Sequence, residues 1–126
     1  MAQNATWLAN PGSADYSAAA NWTPATVPTG TAFFGTSNIT ALSFSNDVNI
    51  GGWMFNVGAP NYTFTSAVNL SFNSAGIVIN GGSATITNNN ASILQFNNSS
   101  TAGGAAITNN VGSFLLFLDA STAGNA

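Results

Sequence analysis

Three carboxylates, Asp15, Asp47 and Asp119, make up nearly all the ionisable side-chain chemistry of this 126-residue chain, which has no Lys, Arg, His, Glu or Cys. Glycan cleavage needs two carboxylates roughly 5–10 Å apart. If Asp47 and Asp119 lie in layers of a stack, about three layers separate them, near 14 Å at the sheet spacing. Asp15 falls in a different segment, so no pair is supplied. Nucleophile triads and the usual acid/base pairs lack His, Lys and Cys. Zinc lacks thiolate and imidazole ligands. The Gly pairs at 51–52 and 81–82 are not followed by Asp at the calcium-repeat spacing. A phosphate or nucleic-acid surface needs cations, and no side chain supplies one. The sequence therefore implies no catalytic residue, no cofactor and no metal site, and each Asp reads as a turn residue.

Two aromatics are candidates of another kind. Trp53 follows Gly51-Gly52, and Tyr62 follows Gly58-Ala59-Pro60-Asn61. Such Gly- and Pro-rich stretches are expected as loops. Aromatic rings on loops could stack against a sugar, which gives a glycan-binding module as the alternative function. Asn-x-Ser/Thr triplets such as Asn21-Trp22-Thr23, Asn38-Ile39-Thr40 and Asn61-Tyr62-Thr63 also occur. A chain this rich in Asn, Ser and Thr produces them by chance, so they carry no weight.

What would position these residues is a repeat. Ala84-Thr85-Ile86-Thr87-Asn88-Asn89 returns as Ala105-Ala106-Ile107-Thr108-Asn109-Asn110, Ser92-Ile93-Leu94-Gln95-Phe96 as Ser113-Phe114-Leu115-Leu116-Phe117, and Ser100-Thr101-Ala102-Gly103 as Ser121-Thr122-Ala123-Gly124. The offset is 21 residues throughout. A fixed period of about 20 residues is the signature of a stacked repeat. Within a copy, Leu94 and Phe96 are two apart and share one strand face, with Gln95 on the other. Asn88-Asn89-Asn90 and Ala102-Gly103-Gly104 read as turns. One copy cannot bury its apolar face alone; on a neighbour it can, with equivalent residues about 4.8 Å apart. Ile86 should lie under Ile107, Leu94 under Leu115 and Phe96 under Phe117. Asn88 and Asn109 should pair as an amide ladder. No stretch shows the 3.6-residue period of a helix, and paired two-residue hairpin turns are absent, which argues against an antiparallel sandwich.

Upstream, Leu-x-Phe recurs as Leu42-Ser43-Phe44, Leu70-Ser71-Phe72 and Leu94-Gln95-Phe96, at spacings of 28 and 24. Read as equivalent positions, these imply longer early coils with loops, and about four coils, a stack on the order of 20 Å tall. Residues 1–35 carry no repeat. Trp7, Trp22, Phe33 and Phe34 suit a plug over the first coil, whose strand edge would otherwise be open.

That segment resembles a known family. Trp7, Asp15-Tyr16-Ser17-Ala18-Ala19-Ala20-Asn21-Trp22, Val27-Pro28 and Ala32-Phe33 resemble the N-terminal segment of bacterial autotransporter-type passenger proteins, and Ser121-Thr122-Ala123-Gly124-Asn125-Ala126 looks like their β-helix repeat. Tyr16 stands where that family usually has Trp, and Thr31 where it usually has Asp. The resemblance implies an N-terminal passenger fragment, secreted or at the bacterial cell surface, acting as a stalk or adhesin. The leader would be absent from this chain, since Met1 runs straight into polar residues. No segment is long and apolar enough to span a membrane as a helix; the longest aliphatic or aromatic run is Phe114 to Leu118.

That run departs from the repeat. Gln95 and Asn97, expected to point outward, become Leu116 and Leu118. With Phe114 they make the last copy apolar on both faces, and the strand edge of that copy is uncapped. Phe114, Leu116 and Leu118 are therefore the candidate self-association residues.

The expected architecture is an all-β, right-handed parallel β-helix, with an N-terminal cap over 1–35 and solenoid coils over 36–126, regular from 84. Handedness follows the crossover preference. The expected function is structural and non-catalytic: a surface or secreted β-solenoid segment supporting adhesion or self-assembly. Expected partners are further copies of the chain, through the end coil or the outer Leu face, and a host or matrix glycan. Nucleic acid and membrane insertion of this segment are not expected.

Overall fold

The computed structural model describes residues 2–126. Its strands are β1 (Ala5–Trp7), β2 (Trp22–Thr23), β3 (Thr31–Phe34), β4 (Ala41–Ser43), β5 (Val48–Phe55), β6 (Asn61–Ser66), β7 (Leu70–Ile79), β8 (Ser83–Asn88), β9 (Ile93–Phe96), β10 (Ala106–Asn109) and β11 (Phe114–Phe117). Among the described residues the only helical element is a short 3-10 turn at Ala19–Asn21. From β3 onward the chain alternates between two sheets. One is ordered β11-β9-β7-β5-β3-β1-β2 and the other β10-β8-β6-β4. Every ladder is parallel except β1 with β2. The result is a parallel β-solenoid of about four turns.

Period-two alternation builds each rung. In β6, Tyr62, Phe64 and Ser66 are buried while Asn61, Thr63 and Thr65 face out. In β8, Ala84, Ile86 and Asn88 take the inner positions. Outward Thr is β-branched and suits an exposed strand face. Like then stacks on like. Ile86 pairs with Ile107 and Asn88 with Asn109. Leu94 pairs with Leu115, and Phe96 with Phe117. The rings of Phe72, Phe96 and Phe117 form one column, with centroids 4.9 and 5.2 Å apart and planes within 10° of parallel. The expected register of the 84–126 repeat is the observed one.

The upstream alignment was offset. Leu42 belongs to β4 and pairs with Phe64. Leu70 belongs to the other sheet and lies over Val48, with Leu94 above it. Leu42-Ser43-Phe44 and Leu70-Ser71-Phe72 are thus not equivalent, although they share a pattern. The partner spacings from Leu42 to Phe64 and from Val48 to Leu70 are both 22 residues, so the early rungs are close to the length of the late ones.

The expected loop around Gly51-Gly52-Trp53 is instead the middle of β5. The two glycines allow close approach at a corner where the ladder shifts register, between Ile50 and Gly52. A Cβ on Gly52 would collide with the Gly76 backbone, and one on Gly76 (φ +78°) with the Thr101 backbone.

The turns repeat too. Asn98 and Asp119, 21 residues apart, are both left-handed (φ 57° and 59°), as are Gly103 and Gly124 (58° and 60°). Asn, Asp and Gly are the residues that tolerate this region. β3, which lies within the 1–35 segment, is already part of the parallel ladder against β5. Below it, Trp7, Tyr16, Trp22 and Phe34 form a buried cluster. Each indole there has an acceptor: Trp7 Nε1–H donates to the Ile39 carbonyl at 3.0 Å, and Trp22 Nε1–H to the Tyr16 carbonyl at 2.8 Å.

Candidate functional site

The three carboxylates do not converge; each holds a turn. Asp47 Oδ1 accepts the Asn69 backbone N–H at 3.0 Å, one rung on. Asp119 Oδ2 accepts that of Asn98 at 3.0 Å, one rung back. Asp15 accepts the Ser17 N–H at 2.9 Å and the Ser45 hydroxyl at 2.8 Å. A carboxylate taking a backbone N–H from an adjacent rung acts as a staple between turns. The groove beside Asp47, about 350 Å³ and walled by Val27, Pro28 and Val48, contains that carboxylate alone.

The aromatic candidates are corrected by the packing. Trp53 and Tyr62 are both fully buried. Trp53 stacks on Phe64 with centroids 4.3 Å apart and donates its indole N–H to the Tyr16 hydroxyl at 3.1 Å. Tyr62 donates its hydroxyl to the Gly35 carbonyl. Neither ring presents a face to a sugar. The physical reason is alternation: Trp53-x-Phe55 and Tyr62-x-Phe64 are inward pairs on strands, and the neighbouring Gly and Pro residues shape corners rather than free loops. Burial raises the phenol pKa values: Tyr62 is pushed up to about 12, against a smaller opposing pull from Ser37. Tyr16, the more enclosed, is raised further.

The surface most unlike the rest is the face of the final rung. Its inward residues continue the core columns. Ile86, Leu94 and Phe96 are buried, whereas Ile107 and Leu115 above them are only partly covered and Phe117 is 37% exposed. Around them Phe114 is 55% and Leu118 42% exposed, and Val111 is fully exposed. Leu116 is half-buried. β10 and β11 are the last strands of their sheets among the described residues.

The polar ladders reach the same boundary. The buried Asn88 amide donates upward to Asn109 Oδ1 (2.8 Å) and to the Phe114 carbonyl (2.9 Å), and its Oδ1 accepts from Ser92 Oγ (2.6 Å). Asn109, one rung higher, donates only to Ser113 O in its own rung. Outside, Asn97 donates to Asn73 Oδ1 at 2.8 Å. At the next step that column carries Leu118 instead. The other end differs. The free edge of β4 is covered by the chain at 14–16, through Tyr16 N–H to Ser43 O (2.8 Å) and Ser43 N–H to Ala14 O (2.9 Å). The apolar outward column at Leu116 and Leu118 was legible from the 21-residue repeat; the cover over β4 was not, because it is a single bridge outside any repeat.

No family model matches the chain, and no curated protein or solved structure is similar to it.

Proposed function

We propose that this chain is a structural, non-catalytic β-solenoid segment, exported or displayed at a bacterial surface as autotransporter-type passengers are. Its N-terminal segment acts as a cap, and the outer face of the 114–118 rung meets the same face of a second copy. The single observation that carries this reading is the change of that outward column from polar to apolar: Gln95 and Asn97 become Leu116 and Leu118 one rung on, and Leu118 is 42% exposed near Phe114 at 55%. An exposed apolar patch on an otherwise polar face favours contact with another surface. A two-fold arrangement, this face against its copy, lets one patch serve both partners.

Sedimentation equilibrium over a wide concentration range tests this. A monomer–dimer equilibrium is expected, and Leu118→Lys, or Leu116→Gln with Leu118→Asn, should shift it to monomer while circular dichroism keeps its β signal. A chain that stays monomeric at every concentration rejects the reading, and so does a dimer that survives both variants.

A further inference from the structure

The outer face of the four-stranded sheet carries a regular two-dimensional array that the self-association reading does not use. Its three ladders run without a register shift, whereas β5 and β7 in the other sheet shift at Ile50/Gly52. Two outward columns result. One is Ala41, Thr63, Thr85, Ala106, and the other Ser43, Thr65, Thr87, Thr108. Thr63, Thr65 and Thr108 are exposed, Thr85 and Thr87 half-exposed. None of the six hydroxyls makes a hydrogen bond within the protein among the described residues. Hydroxyls elsewhere do: Ser66, Ser92 and Ser100 are all engaged. Neighbours in a column lie about 4.8 Å apart, and the two columns about 6.7 Å apart along the strand. Thr is stiff at χ1, so hydroxyl and methyl positions are held with little entropy left to lose.

The ligand class follows by chemistry. Small ligands need concavity, and none of the grooves described is lined by these residues. An extended, repeating solid surface fits instead. A mineral would call for columns of charge, and the only carboxylate adjoining this sheet, Asp15 beside Ser43, is committed to Ser17 and Ser45. Crystalline polysaccharide is gripped by stacked aromatics, and all three Trp and both Tyr are buried. What remains is water itself. Each of these Thr residues offers a methyl, which orders its first water layer, and a hydroxyl, which can anchor it, on a grid of about 4.8 by 6.7 Å set by the sheet and near the oxygen repeats of hexagonal ice. We propose that this face binds ice, through Thr63, Thr65, Thr85, Thr87 and Thr108 with Ser43 at the edge.

The test is ice-recrystallisation inhibition and ice-crystal shaping by the purified chain. Faceted crystals and slowed coarsening are expected, beyond an equal mass of serum albumin. Thr85→Lys, at the array's centre, should raise the half-inhibiting concentration by at least an order of magnitude. Gln95→Lys, at an outward position in the other sheet, should leave it unchanged; circular dichroism confirms that both remain folded. Thr87→Val, which keeps the shape and removes the hydroxyl, should fall between. Wild-type behaviour equal to albumin overturns the proposal, as does equal loss in Thr85→Lys and Gln95→Lys. Depletion of the chain by crystalline cellulose or chitin, abolished by Thr85→Lys with ice growth unaffected, would overturn it in favour of polysaccharide.

Discussion

Replacing Asn88 by Ala should loosen the top of the stack, whereas the same change at Asn109 should hardly matter. The two are the same residue type, paired in register one rung apart. Asn88 is fully buried and joins two rungs: its amide serves Asn109 Oδ1, the Phe114 carbonyl and the Ser92 carbonyl, and its Oδ1 takes Ser92 Oγ–H. Truncation strips partners from several groups in a dry site. A buried acceptor left without a donor costs about 1–3 kcal/mol, and Ser92 Oγ keeps its second partner, the Asn89 carbonyl. With some water entering the void, the net loss should be about 2–4 kcal/mol, a large share of a typical 5–15 kcal/mol. Asn109 is exposed and donates only within its own rung. Its loss should cost about 1 kcal/mol or less. Urea titration followed by circular dichroism reads both. Because rungs in a solenoid are coupled mainly to their neighbours, hydrogen exchange should show the Asn88→Ala loss concentrated in β10 and β11. Equal destabilisation by the two variants, or a loss spread evenly to β1–β3, would refute the account of like stacked on like.

Other changes bear on the backbone and the core. Gly76→Ala should cost about 3 kcal/mol or more, since it places a side chain at positive φ and against the Thr101 backbone; thermal unfolding measures it. Ala91 sits at φ 58° where Gly112, its counterpart one rung on, sits at 85°; Ala91→Gly should therefore stabilise by about 0.5–1 kcal/mol in the same assay. Raising the pH should unfold the protein through Tyr62 and Tyr16. Their folded pKa values lie above the unfolded value of 10.0, so their contribution is intact below pH 10 and is lost as pH rises through about 12 for Tyr62 and higher for Tyr16. Ultraviolet titration should show phenolate appearing only together with loss of β structure; normal titration at pH 10 with the fold intact would contradict the burial.

Where the chain repeats itself, the fold could be read from it. From 84 onward, Ile over Ile, Phe over Phe and Asn over Asn fix the register, because a slip of one residue would turn every inward side chain outward. Upstream the rungs share only a binary pattern, and Leu-x-Phe occurs in both sheets. Matching Leu42 with Leu70 joined strands of different sheets. The alternation Thr63-Phe64-Thr65 against Thr85-Ile86-Thr87, 22 apart, was the better marker. Trp53 and Tyr62 were misplaced for a related reason. Glycine signals both a free loop and a crowded corner, and only the positions of neighbouring backbones tell the two apart. At Gly52 and Gly76 those neighbours are other rungs, brought close by the fold and far away in sequence.

The lack of charge connects the two proposals. Soluble sheet proteins commonly guard their edges and faces with lysine; this chain has none. At β4 the edge is protected by chain instead, with Ala14 and Tyr16 pairing to Ser43. On the outer face of the 114–118 rung no charge does so, and the exposed Phe114 and Leu118 favour contact over repulsion. On the flat face of the other strands, neutral hydroxyls do the solubilising that ions would otherwise do. An ion there would carry a hydration shell incompatible with a regular water layer; a Thr column does not. The same composition therefore leaves one face free to join and another free to order water. A single Lys placed at Leu118 and another at Thr85 should abolish the two properties separately. If either substitution removed both, joining and ice binding would share one surface, and the division of labour drawn between them would be wrong.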